Sequence, residues 1–187
     1  MRGPIPNSYQ LLDGRLIAGE YPGDRDPTPA RQKLGALLDA GVTTFIDLTE
    51  PHELAPYDSL LAEEAAARGM EVRHVRHPIR DVSVPQSLDV MGEILDTIDS
   101  ALGDGGKVYV HCFGGIGRTG TVVGCHLVRR GITGDEALAR VAELWKSVEK
   151  YPGRPRSPET DEQADYVRSW VEAGSAPNVA DGTAENE

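Results

Sequence analysis

The sequence is poor in the features that would place it outside a simple soluble class. It has only two cysteines, Cys112 and Cys125, in 187 residues, which excludes a disulfide framework. It has no apolar run approaching the roughly 18 residues that a membrane-spanning helix needs. The first residues, MRGPIPNSYQLLDGRL, place Pro4, Pro6, Asn7 and Asp13 where a secretory signal requires unbroken apolar sequence. The expectation is therefore a reducing, cytoplasmic setting, which suits a free thiolate. Excess positive charge is missing too: the net charge is −11, so long-range attraction to nucleic acid or to an anionic membrane has the wrong sign. Any anion site in this acidic chain has to be built locally. The five histidines are scattered without metal-ligand spacing, and the expectation is no metal and no organic cofactor.

What is present is one domain's worth of alternating strand and helix signals without internal repeats, an α/β pattern with a central, mostly parallel sheet flanked by helices. The expected domain covers residues 1–172, followed by an acidic, disordered tail over 173–187. Residues 15–19 (RLIAG) read as a short edge strand, and a helix is predicted from about Thr28 to Ala40, stopped by Gly41. VTTFIDL at 42–48 has the near-continuous apolar character of a buried parallel strand. A helix from about Asp58 to Arg68 leads to a strand near 70–76. Ser87 caps a helix with apolar residues at Leu88, Met91, Ile94, Leu95 and Ile98, and the strand KVYVH follows at 107–111. Beyond a glycine-rich loop come a helix to about Arg130, a second opened by a Thr133/Glu136 capping box and running to about Lys150, and a last one from Ser157-Pro158 to about Val171.

The chemistry concentrates in HCFGGIGRTG at 111–120, between a strand and a helix. Ligands bind at the carboxyl ends of parallel strands, where the next helix points unpaired N–H groups at them. Five residues separate Cys112 from Arg118 and three of them are glycine, so the backbone can curl until its amides face one centre and bind an anion. Arg118 adds a planar fork that holds two phosphate oxygens. An ordinary thiol, with a pKa of about 8.5, is about 3% ionised at pH 7, whereas one lowered to about 5 by amides, helix dipole and a cation is about 99% ionised. The loop that binds phosphate would thus also make the nucleophile. A nucleotide loop is a poor match, since Gly-Lys-Ser/Thr is absent in phase and GxGxxG does not fit.

HCFGGIGRTG resembles the active-site loop of the protein-tyrosine and dual-specificity phosphatase superfamily: His-Cys, five residues, Arg, then Ser or Thr. The resemblance implies that fold, and a phosphocysteine formed on Cys112. It further implies phosphate binding by the amides of Phe113, Gly114, Gly115, Ile116, Gly117 and Arg118, a hydrogen bond from Thr119 to the Cys112 sulfur, and a structural role for His111. It also implies a general acid about thirty residues upstream. Asp81, in a proline-flanked loop 31 residues before Cys112, fits that place; Asp89 lies inside a helical stretch. SPETDEQ at 157–163 resembles the family's glutamine loop, with Gln163 as the residue that positions the hydrolytic water. The basic run RHVRHPIR at 73–80 reads either as a solvated strand face or as a rim that steers phosphorylated substrate, and Cys125 as a core residue or a resolving thiol.

Members of the resembled superfamily that act on inositol lipids often carry Lys inside the loop; this loop has no cation between Cys112 and Arg118, so the resemblance disfavours highly anionic lipid headgroups. Its aromatic after the cysteine and its paired glycines are similar to those of dual-specificity and kinase-associated phosphatases. The expected substrate is a phosphorylated protein or peptide, on tyrosine with possible serine or threonine activity. The alternatives are a lipid, nucleotide or sugar phosphate ester, a sulfurtransferase or arsenate reductase, and a noncatalytic phosphoprotein-binding module.

Overall fold

A computed structural model describes residues 1–171, so the expected tail at 173–187 lies outside the described residues. Five strands, β1 (Ser8–Leu11), β2 (Leu16–Gly19), β3 (Thr44–Asp47), β4 (Arg73–Arg76) and β5 (Val108–His111), form one sheet in the order β1-β2-β5-β3-β4. Only β1 runs antiparallel to its neighbour; the other pairings are parallel. The β2, β3 and β5 strands are wholly buried, as their apolar sequences require when helices cover both faces. Residues alternate between two cores: Leu16, Ala18, Ile46, Val108 and Val110 face one, and Ile17, Phe45 and Tyr109 the other. The second is closed by α1 (Pro27–Asp39) and α2 (Asp58–Ala66), the first by α3 (Leu88–Gly103), α4 (Gly117–Arg129), α5 (Gly134–Trp145) and α6 (Asp161–Ser169).

Three sequence expectations need correction. The segment read as an edge strand is interior: β2 lies between β5 and β1, and β1 forms the edge. With only four residues, two of them polar, β1 carries no periodic signal, and it turns into β2 through Leu12–Gly14 with Gly14 at φ +85°. The fifth helix stops at Trp145, short of Lys150, because the chain folds back until the Trp145 indole donates to the Arg154 carbonyl at 2.6 Å. The sixth starts after Thr160, where a reciprocal capping box with Gln163 satisfies its first amides. The Ser157 hydroxyl is committed elsewhere, to the Ile116 carbonyl at 2.8 Å. The other capping box, Thr133 with Glu136, forms as the sequence indicates.

Candidate active site

The carboxyl ends of β2, β3 and β5 converge beneath the loop that runs from Cys112 into α4. Gly115 sits at φ +73°, and a Cβ there would lie 2.4 Å from the carbonyl carbon of Gly19, so both the conformation and the close approach to β2 require glycine. The loop's carbonyls are turned outward and held. Phe113 O accepts from the Tyr21 amide at 3.0 Å, Gly114 O from Lys150 Nζ at 3.4 Å, Ile116 O from Ser157 Oγ at 2.8 Å and Gly117 O from Thr121 Oγ1 at 2.9 Å. None of the amides of residues 113–116 donates to a partner among the described residues. Anchored carbonyls and free amides are the two halves of an anion nest, and the first turn of α4 adds its dipole.

Cys112 lies at the floor of this nest, 3% exposed. Arg118 lies behind it, 1% exposed. Its Nη1 donates to Glu53 Oε2 at 2.8 Å and to the Ile79 carbonyl at 3.1 Å, while Nη2 donates to Glu53 Oε1 at 2.7 Å. One edge of the guanidinium is thereby consumed. The other edge presents Nε, which is buried without a partner, and Nη2, which also contacts Asp81 Oδ1 at 2.8 Å. A buried guanidinium N–H without an acceptor is costly unless an anion arrives, so this edge is the phosphate-facing one. Burial raises the Glu53 pKa, but the bonds from Arg118 and the Glu50 amide outweigh it and hold the carboxyl below its ordinary value.

Cys112, Arg118 and Asp81, expected from the sequence to cooperate, line one cavity of about 650 Å³ together with Val82, Phe113, Gly114, Ile116, Gly117, Lys150 and Arg154. Asp81 is 59% exposed on a loop whose next residue, Val82, takes φ +56°, a strained conformation for a β-branched side chain. Gly115 lies off the cavity wall, packed on β2.

Two expected residues are arranged differently. Thr119 is wholly buried in the first turn of α4, and its hydroxyl makes no hydrogen bond to the Cys112 sulfur or to any other described atom. That donor is unspent in the structure, rather than already engaged. Gln163 does not reach the cavity. It is fully buried, its Oε1 accepts from the amides of Glu159 (3.1 Å) and Thr160 (3.2 Å), and its Nε2 donates to Ser83 O at 3.0 Å. A Cβ at Gly117 would lie 2.8 Å from its amide. Gln163 therefore latches the Asp81 loop, the cap of α6 and the phosphate loop together.

His111 is buried, shares a hydrogen bond with Tyr57 Oη at 2.7 Å, and is pushed down to about 4 by burial, so it is neutral near pH 7. It ends β5, immediately before Cys112. Within the basic run at 73–80, Arg76 donates to the buried Asp47 at 2.8 and 3.1 Å, His74 lies between Asp47 and Asp58, and His77 pairs with Thr97 at 3.0 Å, while Arg73 and Arg80 are exposed. Cys125 is a core residue of α4 whose thiol burial pushes far up. The sequence reading missed Glu53, Val82, Lys150 and Arg154. For Glu53 the available signal was its place just beyond the carboxyl end of a buried parallel strand.

Free amides around a sulfur suit a tetrahedral dianion better than a carboxylate or a planar acyl group, and a carboxyl across from the sulfur supplies the proton a departing oxygen needs. That combination, on this sheet, is the arrangement of the cysteine-based phosphatase fold. The model of the DSP-PTPase phosphatases of polymorphic toxin systems (Tc-R-P) matches residues 21–132, and the chain belongs to this family, within the protein-tyrosine and dual-specificity phosphatase superfamily. It is 33% identical over 104 residues to the tyrosine phosphatase homologue 067L of Invertebrate iridescent virus 3, covering 53% of this chain and 39% of that protein. It is 31% identical over 148 residues to phosphatidylglycerophosphate phosphatase PTPMT2 of Arabidopsis thaliana, covering 78% of this chain and 59% of that protein. The chain thus spans less than two thirds of the length of either relative. Among solved structures, Tk-PTP in its active form superimposes with a TM-score of 0.61 at 30% identity, covering 84% of this chain and 91% of that one.

Proposed function

We propose that this protein hydrolyses phosphorylated proteins or peptides, phosphotyrosine first and phosphoserine or phosphothreonine second, through a phosphocysteine on Cys112. The observation that carries the reading is the shape of the cavity: Cys112 at the floor, with two exposed apolar side chains in its walls, Phe113 (59% exposed) and Val82 (53% exposed). An aromatic ring attached to the phosphoryl group would find apolar surface there, and a bare sugar or headgroup would not.

The thiolate of Cys112 attacks phosphorus while the amides of 113–118 and the Nε/Nη2 edge of Arg118 hold the other three oxygens. The ester P–O bond breaks, and its oxygen takes a proton from Asp81. A water then attacks phosphorus, Asp81 accepts its proton, the S–P bond breaks and inorganic phosphate leaves. Thr119 donates its unspent hydroxyl to the sulfur as the thiolate departs. Gln163 acts through the loops that it ties together, as a positioning residue. The incoming phosphoryl group displaces the Asp81 carboxylate from Arg118 Nη2, which frees that carboxyl to take up its proton. A cytoplasmic location is part of the same proposal, since the thiolate has to stay reduced.

Phosphate release from p-nitrophenyl phosphate and a phosphopeptide panel tests it, with wild type set against Cys112→Ser, Arg118→Ala and Asp81→Asn. Loss of nearly all activity in the first two is the expected result. Turnover confined to nonaromatic phosphate esters would remove the phosphotyrosine assignment.

A further inference from the structure

The cavity carries one cation that the hydrolytic chemistry leaves unused. Arg118 is committed to Glu53 and to the phosphoryl group. Lys150 pairs with Glu20 at 2.6 Å and holds Gly114 O. Arg154 is different. Its backbone is fixed, with its carbonyl accepting from the buried Trp145 indole at 2.6 Å and its amide donating to the carbonyls of Lys150 (2.9 Å) and Tyr151 (3.1 Å). Its side chain is 66% exposed and, among the described residues, meets only Glu159, at 3.6 Å, longer than a hydrogen bond. A rigid stem thus presents a loosely held guanidinium to the cavity that holds Cys112.

The acidic groups on the same wall leave it available. Glu149 is turned outward to Arg2, and Asp81 is on Arg118. Only Glu159 competes, through a pair of the exposed kind worth about 0–1 kcal/mol. A carboxylate brought in by substrate, already localised by the phosphoryl group in the nest, meets Arg154 at high effective concentration and displaces Glu159.

We infer that Arg154 is a specificity-determining residue that binds a second anionic group next to the phosphoester, namely the carboxylate of an acidic residue flanking phosphotyrosine in a peptide. This rests on the phosphotyrosine reading above. The acidic flank engages Arg154 in the ground state and the transition state alike, so its effect falls on KM more than on kcat.

The experiment compares phosphotyrosine peptides that differ only in carrying Asp, Asn or Lys beside the phosphorylated residue, using the full chain as wild type, Arg154→Ala, Arg154→Lys and Glu159→Gln. Wild type should favour the Asp peptide over the Asn peptide about threefold to tenfold in KM. The ratio should collapse toward one in Arg154→Ala, survive in large part in Arg154→Lys, and widen in Glu159→Gln, where the competitor is neutral. An Asp/Asn ratio that is unchanged in Arg154→Ala overturns the inference. Wild type that hydrolyses p-nitrophenyl phosphate and all three peptides without preference also overturns it, but leaves the phosphatase reading standing; wild type that hydrolyses none of them removes the phosphatase reading itself. An Arg154-dependent preference for vesicles containing phosphatidylglycerophosphate over every peptide would overturn the peptide assignment.

Discussion

Glu53 grips the Arg118 guanidinium end-on, with Oε1 and Oε2 at 2.7 and 2.8 Å from Nη2 and Nη1, across 65 residues of sequence. The pair fixes the plane of the fork, so that Nε and the remaining Nη2 hydrogen point at the phosphate rather than sweeping a range of positions. Glu53→Gln removes the charge and one acceptor while keeping the size. It should lower kcat/KM about tenfold or more on every phosphate ester, and should reduce stability by about 1–3 kcal/mol, since Arg118 would be left with unmatched buried charge. Steady-state kinetics beside urea unfolding checks both; unaltered kinetics would show that the fork needs no support from Glu53.

Asp81 occupies Arg118 Nη2 at 2.8 Å, the position that the phosphoryl group has to take. Replacing it with asparagine removes a competing anion and a proton donor at once. Inorganic phosphate should therefore inhibit Asp81→Asn several-fold more tightly than wild type, while turnover of a phosphotyrosine peptide falls about 100-fold or more and that of p-nitrophenyl phosphate falls much less. Parallel loss on both substrates would contradict the acid role.

Gln163 bonds to Ser83 O and to the α6 cap, and its amide lies against Gly117. Gln163→Ala should cost about 1–2 kcal/mol in stability, as a lost cap does, and should raise amide exchange around Ser83. Gln163→Glu keeps the acceptor that the cap needs, so it should retain the helix while losing the tether to Ser83. Separate responses of the two variants in exchange around the acid loop distinguish a latch from a simple cap.

Two buried histidines set the pH dependence of stability. Burial pushes both His111 and His126 down to about 4, so the folded protein keeps them neutral while the unfolded chain protonates them below about 6.5. Between those limits the unfolded state binds more protons, so stability rises with pH, by up to about 1.4 kcal/mol per unit for each histidine, and levels off above 6.5. His77 is lowered by burial as well and acts in the same sense. Urea unfolding should give a loss of about 2–4 kcal/mol between pH 6.5 and pH 5. A flat profile over that interval would contradict the buried neutral imidazoles.

The parts of the site that the sequence made legible are those contained in one short segment or one loop. Cys112, Arg118 and the intervening glycines are fixed by a single strand-to-helix turn, and Asp81 follows from its distance upstream and its prolines. Glu53 reaches Arg118, and Lys150 and Arg154 reach the cavity, only because the sheet order brings the ends of β3 and the α5–α6 connection to the same side as β5. No local pattern encodes that meeting. The errors in the fold have similar causes. The edge strand β1 is too short for a period, and Ser157-Pro158 looked like a helix start until the Thr160 and Gln163 box three residues later took that role. The buried Asp47 drew in His74 and Arg76, two residues of a basic run that composition alone would leave at the surface.

Hydrolysis through this site requires a covalent bond from phosphorus to the Cys112 sulfur. Acid quenching of the enzyme during turnover of a phosphotyrosine peptide, followed by digestion and mass analysis, tests it directly. One added phosphoryl group is expected on the fragment that bears Cys112, absent from the Cys112→Ser protein, which should release no phosphate. Steady phosphate release with that fragment unmodified, or undiminished turnover by Cys112→Ser, would contradict it.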